Sequence, residues 1–366
     1  MVLAAKYVKS KLKSILILAI GGLLALWFVS SLDWREVSRQ LASARIWPLL
    51  IAAALIILTL FLRSLRWQVF LEPLAKVTLS HTFVATSIGF GGVFIFGRAG
   101  EIIRPLVLSL REKIRPSMTI ATILIERVFD MSAVATIFAV NLLFFALPPS
   151  SSIDLHTLDK IHMTGILLTI GVCAGIGLLV LFRARAAGAV SGLEKLLGWM
   201  PAGIRRAILS LISHLGEGLR VLTSTRELLL SAFYTMLIWS AVTVATWLIA
   251  YAFRLDLSLS STIFVLGFGL VGSLVPTPGG SAGAFHAAAA AGLIVLGVEK
   301  NLAGSISIVL HFIAFGSPFL IGLFFIVRDG LGLGGLRELM SSAASEDVSK
   351  DSVSHLTKRN DHLSNL

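Results

Sequence analysis

Three charged residues spaced by three, Arg98, Glu101 and Arg104, close an apolar, glycine-bearing run. On a helix they fall within an arc of about 120°, so two guanidiniums and one carboxylate share a face. A guanidinium is planar and offers paired N–H groups that match phosphate oxygens. The chemistry expected of the trio is therefore a clamp on a lipid phosphate, with Glu101 holding an arginine in place. The plainer reading is an interfacial cluster that only fixes orientation. A second group, Glu126, Arg127 and Asp130, lies early in a long apolar stretch. Glu126 and Asp130 are one helical turn apart and Arg127 can pair with either. They suit a neutralised buried salt bridge, or the polar wall, proton site or ion site of an internal path. The third group is uncharged: Pro276-Thr277-Pro278-Gly279-Gly280-Ser281-Ala282-Gly283. There Pro278, Gly279, Gly280 and Gly283 shape a turn. Its backbone N–H groups, with the start of the next helix, suit an anion. His286 and His311 lie in apolar arms without a partner at metal spacing, so no metal and no cofactor is expected. Asp154, His156, Asp159 and His162 read as a solvated loop.

What must position these groups is a membrane body. Of the 366 residues 56% are hydrophobic and only 14% are charged, against about 25% charged in soluble domains. Mean hydropathy is +0.90. These values exclude a soluble globular enzyme and a disordered chain. Cys173 is the sole cysteine, so neither a disulfide framework nor a thiolate zinc site can form. The net charge of +11 is read as loop charge that orients the protein, not as a nucleic-acid surface. No phosphate-binding Gly-x-x-x-x-Gly-Lys-Ser/Thr loop occurs.

Apolar runs at residues 15–32, 47–62, 118–147, 163–182, 228–253 and 302–327 predict six crossing helices, the first uncleaved and starting inside. Arg63, Arg66 and Trp67 read as an interfacial anchor after the second. The run 78–96 breaks at Gly97 and continues through residues 102–110. Were it a simple crossing, Arg98, Arg104, Arg111, Lys113 and Arg115 would lie outside, and so would the basic stretch 183–227. Both placements violate the positive-inside rule. A hairpin that dips in and returns removes both violations. The same shape recurs at residues 261–298, where two short arms flank the Pro-Gly tip. A crossing, a broken hairpin and a long crossing thus appear twice with opposite sense, the pattern of an inverted repeat with a midplane cavity. The fold expected is all-α and polytopic, with about six crossings and two re-entrant hairpins. A transmembrane domain covers 1–336, with an amphipathic cytoplasmic segment at 183–227, and a polar tail covers 337–366.

Three elements in this order resemble one family. Gly97-Arg98-Ala99-Gly100-Glu101-Ile102-Ile103-Arg104 resembles its G-R-x-G-E-x-x-R element, Glu126-Arg127-Val128-Phe129-Asp130 its E-R-x-x-D element, and Pro276 to Gly283 its P-x-P-G-G-x-G loop. The family is the lysylphosphatidylglycerol synthase transmembrane region, or flippase-like domain family, and the likeness runs over residues 15–330. It implies movement of lipids between leaflets. Some members add an aminoacyl-transferase domain; in this sequence the longest polar stretch, 183–227, is too short for one.

The function expected is therefore that of a lipid translocase for a phospholipid or another lipid with an anionic head group. It is expected in the bacterial inner membrane with both termini cytoplasmic, and not to be an enzyme. Its partners are expected to be membrane lipid, lipid-biosynthesis enzymes and a second copy of itself, with no nucleic acid. Two rival readings are a lipid-modifying membrane enzyme with Glu101, Glu126 or Asp130 as base, and a scaffold for a lipid or hopanoid synthesis complex.

Overall fold

The apolar runs fold into helices because a bilayer offers no partner for an unpaired backbone N–H or C=O. The computed structural model describes residues 19, 21–145, 155–184, 225–331 and 334–335, and no strand occurs among them. The first part of the chain forms α1 (Gly21–Ser30), α2 (Trp34–Ser43), α3 (Ile46–Leu71), α4 (Leu79–Phe96), a 3₁₀ turn (Gly97–Ile102), α5 (Ile103–Glu112) and α6 (Pro116–Leu143). Then follow α7 (Leu155–Ala184), α8 (Thr225–Ala252), α9 (Leu259–Gly272), a tight turn (Pro278–Ser281), α10 (Ala284–Val295), α11 (Lys300–His311), a π turn (Phe312–Gly316) and α12 (Ser317–Arg328). Among the described residues five helical stretches are long and apolar enough to cross a membrane: Ile46–Leu71, Leu79–Phe96, Leu158–Gly175, Thr225–Ala252 and Lys300–Arg328. The protein is thus a multi-pass, all-α membrane protein. At 28 residues α6 is also long, but it carries Glu126, Arg127 and Asp130 within it. The amphipathic segment expected at 183–227 lies mostly, and the polar tail entirely, outside the described residues.

Two helix pairs carry the broken tips. The chain leaves α4, turns through Gly97–Ile102 and runs back beside it as α5. Small residues make this approach possible: Gly89 lies against Arg104, and Gly92 against Gly100 and Ile103. In the second pair Gly269 lies against Phe285, and Gly272 against Ala284. The two tips meet. Gly97 has φ 64° and ψ −152°, a region closed to side-chain-bearing residues. A Cβ there would sit 3.3 Å from the Thr277 carbonyl oxygen and 3.4 Å from that of Pro276. Glycine is thus required both by its own backbone and by the tip it faces.

Two apolar cores flank the tips. One, with Trp67, Phe70, Ile88, Val107 and Ile125, joins α3 to α6. The other, with Leu248, Phe264, Leu293 and Leu310, joins α8 to α11. The amino-terminal helices pack on the carboxy-terminal half. Phe28 of α1 stacks on His286 of α10 with centroids 5.3 Å apart. The Asp33 N–H donates to Asn301 Oδ1 at 3.0 Å, and Ser305 Oγ donates to Gln40 Oε1 at 2.8 Å. Arg111 and Asp329 pair across α5 and the end of α12.

Candidate functional site

Seven charged side chains converge where α3, α5 and α6 meet. In α3, Arg63 and Arg66 are three residues apart and point to the same side. Arg66 forks onto Asp130 of α6: Nη1 donates to Oδ1 at 2.7 Å and Nη2 to Oδ2 at 3.0 Å. The Arg66 Nη1 also donates to Thr235 Oγ1 of α8 at 2.7 Å. Arg63 Nη1 reaches Asp130 Oδ2 at 3.3 Å. Glu126, wholly buried, receives Arg104 Nη1 on both oxygens at 2.7 and 2.8 Å, Arg66 Nη2 at 3.1 Å and Arg127 Nη2 at 3.3 Å. The Arg104 guanidinium lies 4.1 Å from the Trp67 ring centroid, a cation–π contact. Trp67 is in turn fixed by its Nε1 donating to Thr122 at 2.8 Å.

The buried Arg63, Arg66 and Arg104 and the half-exposed Arg127 outnumber the two buried carboxylates, Glu126 and Asp130. Glu101 lies 4.0 Å from Arg127 Nε, at the limit of an ion pair, and even with it one positive charge is left over. A buried charge without a counter-ion is unfavourable by several kcal/mol on any scale. The donors tell the same story: Nε of Arg63, Nε and Nη2 of Arg104 and Nε of Arg127 are buried and have no hydrogen-bond partner among the described residues. Such groups in a native structure call for a ligand, ion or water.

The arginines that carry them border a cavity of about 240 Å³. Its wall includes Arg63, Glu101, Arg104, Arg127 and Asp130 on one side and Gly280 and Ser281 of the second tip on the other. Two apolar clefts adjoin it. One shares Trp239 and includes Phe138 and Leu266. The other shares Phe315 and includes Ile56, Val265 and Leu310. Leu270 of α9 borders all three spaces.

Of the residues expected to act, Glu101, Arg104, Glu126, Arg127 and Asp130 come together here. Arg98 lies in the 3₁₀ turn and Pro278 opens the tight turn; their side chains lie outside the described residues. Gly279 and Gly280 take the left-handed conformation, with φ 72° and 65°, and Gly280 faces the cavity. The Gly283 N–H is occupied by His286 Nδ1 at 3.3 Å, and the Ser281 N–H by the Thr277 carbonyl at 3.1 Å. Arg63, Arg66 and Trp239 join the site unannounced. One signal was available for the arginines: the apolar pattern resumes after them at Val69, Phe70 and Leu71, so they sit within a helix and not at its end.

The chain belongs to the family described as Lysylphosphatidylglycerol synthase TM region, whose profile matches residues 14–322. No curated protein matches the sequence significantly.

Proposed function

We propose that this protein moves a lipid with a phosphate-bearing head group between the two leaflets of a bacterial inner membrane, with the head group passing through the cavity between the tips. The observation that carries this reading is the unbalanced arginine cluster. Arginines that carry buried N–H groups without partners among the described residues border a cavity of about 240 Å³, and apolar clefts adjoin it. Phosphate supplies the missing negative charge and accepts paired N–H donors. The cluster also explains how an anion enters a hydrocarbon layer: the field is already in place, so little reorganisation is needed as it arrives. Re-entrant tips that meet near the midplane, and two cytoplasmic termini, complete the reading. Lipid-biosynthesis enzymes and a second copy of the chain remain the partners expected of it.

The same geometry disfavours an enzyme that uses Glu126 or Asp130 as base. Each accepts from two or more guanidiniums, which already occupy the carboxylate oxygens a base would use. The family is a membrane-lipid one, which supports a lipid substrate over other anions.

The test is reconstitution into vesicles with a fluorescent phospholipid in both leaflets, followed by chemical quenching of the outer leaflet. The inner-leaflet signal should fall faster than in protein-free vesicles, and Arg104→Ala should slow it. Equal rates with and without protein, for several phosphate-bearing lipids, would sink the proposal.

A further inference from the structure

Two histidines outside the arginine cluster grip the second tip. His311 closes α11, immediately before the π turn. Its Nε2 lies 3.0 Å from the Gly280 carbonyl oxygen. A carbonyl only accepts, so Nε2 carries the hydrogen, and in a neutral ring Nδ1 is then bare. His286 sits in the first turn of α10, and its Nδ1 lies 3.3 Å from the Gly283 nitrogen. A backbone N–H only donates, so this Nδ1 is bare and already occupied. The two imidazoles are therefore sorted. Adding a proton to His286 would break the bond to Gly283. Adding one to His311 Nδ1 breaks nothing and turns the bond to Gly280 into a charge-assisted one, roughly twice as strong.

The pair is packed among aromatic rings. The rings lie 4.4 Å apart, centroid to centroid. Phe28 of α1, Phe285 of α10 and Phe315 of the π turn pack against them. α9 adds Gly269, which lies against Phe285. Among the described residues the one titratable group acting on His286 is His311. The cavity that Gly280, Ser281 and Phe315 border is also lined by the charged Arg63, Glu101, Arg104, Arg127 and Asp130. The segment the rings hold carries one strained residue: Gly279, Gly280 and Gly283 take positive φ freely, but Ser281 is held there too, at φ 63°. A non-glycine residue held there costs on the order of 1 kcal/mol or more and persists only under external restraint. A π turn directly after His311 fits a functional position.

We propose that His311 is a proton-binding site, with His286 as its positioning partner, and that proton uptake tightens the second tip against α11. Resting on the translocation reading above, this makes the proton the coupling ion of lipid movement: the protonated protein holds the tip closed on the cavity, and loss of the proton frees it.

The experiment is hydrogen–deuterium exchange of the full chain in lipid nanodiscs, at about pH 8 and about pH 5 on either side of the ordinary imidazole range, corrected for intrinsic exchange. Peptides covering residues 276–283 should exchange several-fold more slowly at the lower pH. His311→Gln keeps a neutral donor for the Gly280 carbonyl and should remove the pH response. His286→Asn keeps an acceptor for the Gly283 N–H and should retain it. A flat response in the wild-type protein overturns the proposal, and so does any response that survives His311→Gln. Should His311→Gln fail to fold, NMR titration of the imidazole signals in the wild-type and His286→Asn proteins decides: a His311 signal that does not titrate between these pH values overturns the proposal. The readout needs no transport. A pH-sensitive tip in a protein that moves no lipid would overturn the translocation reading alone, and a flat tip in an active protein would overturn the proton site alone.

Discussion

Arg104 and Glu126 meet through a single nitrogen. Arg104 Nη1 lies 2.7 and 2.8 Å from the two oxygens of Glu126, and this leaves Nε and Nη2 of the same guanidinium without a partner among the described residues. One edge of the arginine is anchored and the other is free. Lysine at this position keeps the charge and has enough donors for Glu126, but it has no second edge. Arg104→Lys should therefore keep the melting temperature near wild type and slow leaflet exchange about tenfold or more, as expected for loss of a charge-assisted hydrogen bond of about 1.5–3 kcal/mol. Reconstituted exchange alongside thermal unfolding in detergent checks both halves.

Asp130→Asn removes the carboxylate onto which Arg66 forks and which Arg63 also approaches. The two guanidiniums would then share a buried site with Glu126 alone. Stability should fall by about 3–5 kcal/mol, the range for stranding one side of a buried ion pair. A lowered melting temperature or yield is the expected reading, and an unchanged one would mean that water reaches the cluster.

Gly100 has the backbone of Gly92 where its Cβ would be. Backbone cannot swing aside as a side chain does, so Gly100→Ala must push α5 away from α4. The loss should reach or exceed the upper end of the 1–3 kcal/mol that overpacking typically costs. It should also impair exchange, because the 3₁₀ turn sets where Glu101 and Arg104 stand. Gly22→Ala, where nothing lies within 4 Å, is the control and should be near neutral.

Orientation is open to direct labelling. In a Cys173→Ser background, cysteine at His156, exposed at the start of α7, should react with an impermeant maleimide added from outside. Cysteine at Ser117, exposed at the start of α6, should react only after permeabilisation. The opposite pattern would invert the charge argument and place the basic turn at Lys113 outside.

The all-helical build and both breaks were legible because each rests on local chemistry: apolar runs, and Gly-rich or Pro-Gly clusters that interrupt them. The assignment of crossings was less so. Leu79–Phe96, expected as one arm of a hairpin, is long and apolar enough to cross, and the expected crossings at 15–32 and 118–147 are not among the five such stretches of the described residues. The charged residues of α5 and α6 were legible because a charge amid hydrocarbon is conspicuous. Arg63 and Arg66 were not. Two arginines and a tryptophan after sixteen apolar positions look like an interfacial anchor, yet α3 runs on to Leu71. Only the packing of α3 against α6 and α8 turns these arginines inward onto Asp130 and Thr235. The grip of His286 and His311 on the tip was equally hidden, since each holds a backbone atom, His311 that of Gly280 31 positions away and His286 that of Gly283, and backbone leaves no mark in a sequence pattern.

The docking of the first two helices onto the last third of the chain bears on biogenesis. Phe28 needs His286, Asp33 needs Asn301 and Gln40 needs Ser305. At about 5–20 residues synthesised per second, α1 waits roughly 15 to 50 s for its partners to leave the ribosome. Through that interval the second tip does not exist, and the arginine-lined cavity has only its first wall. The nascent chain thus carries a half-built cavity wall, its arginines already paired with Glu126 and Asp130, whose open face waits until residue 311 arrives.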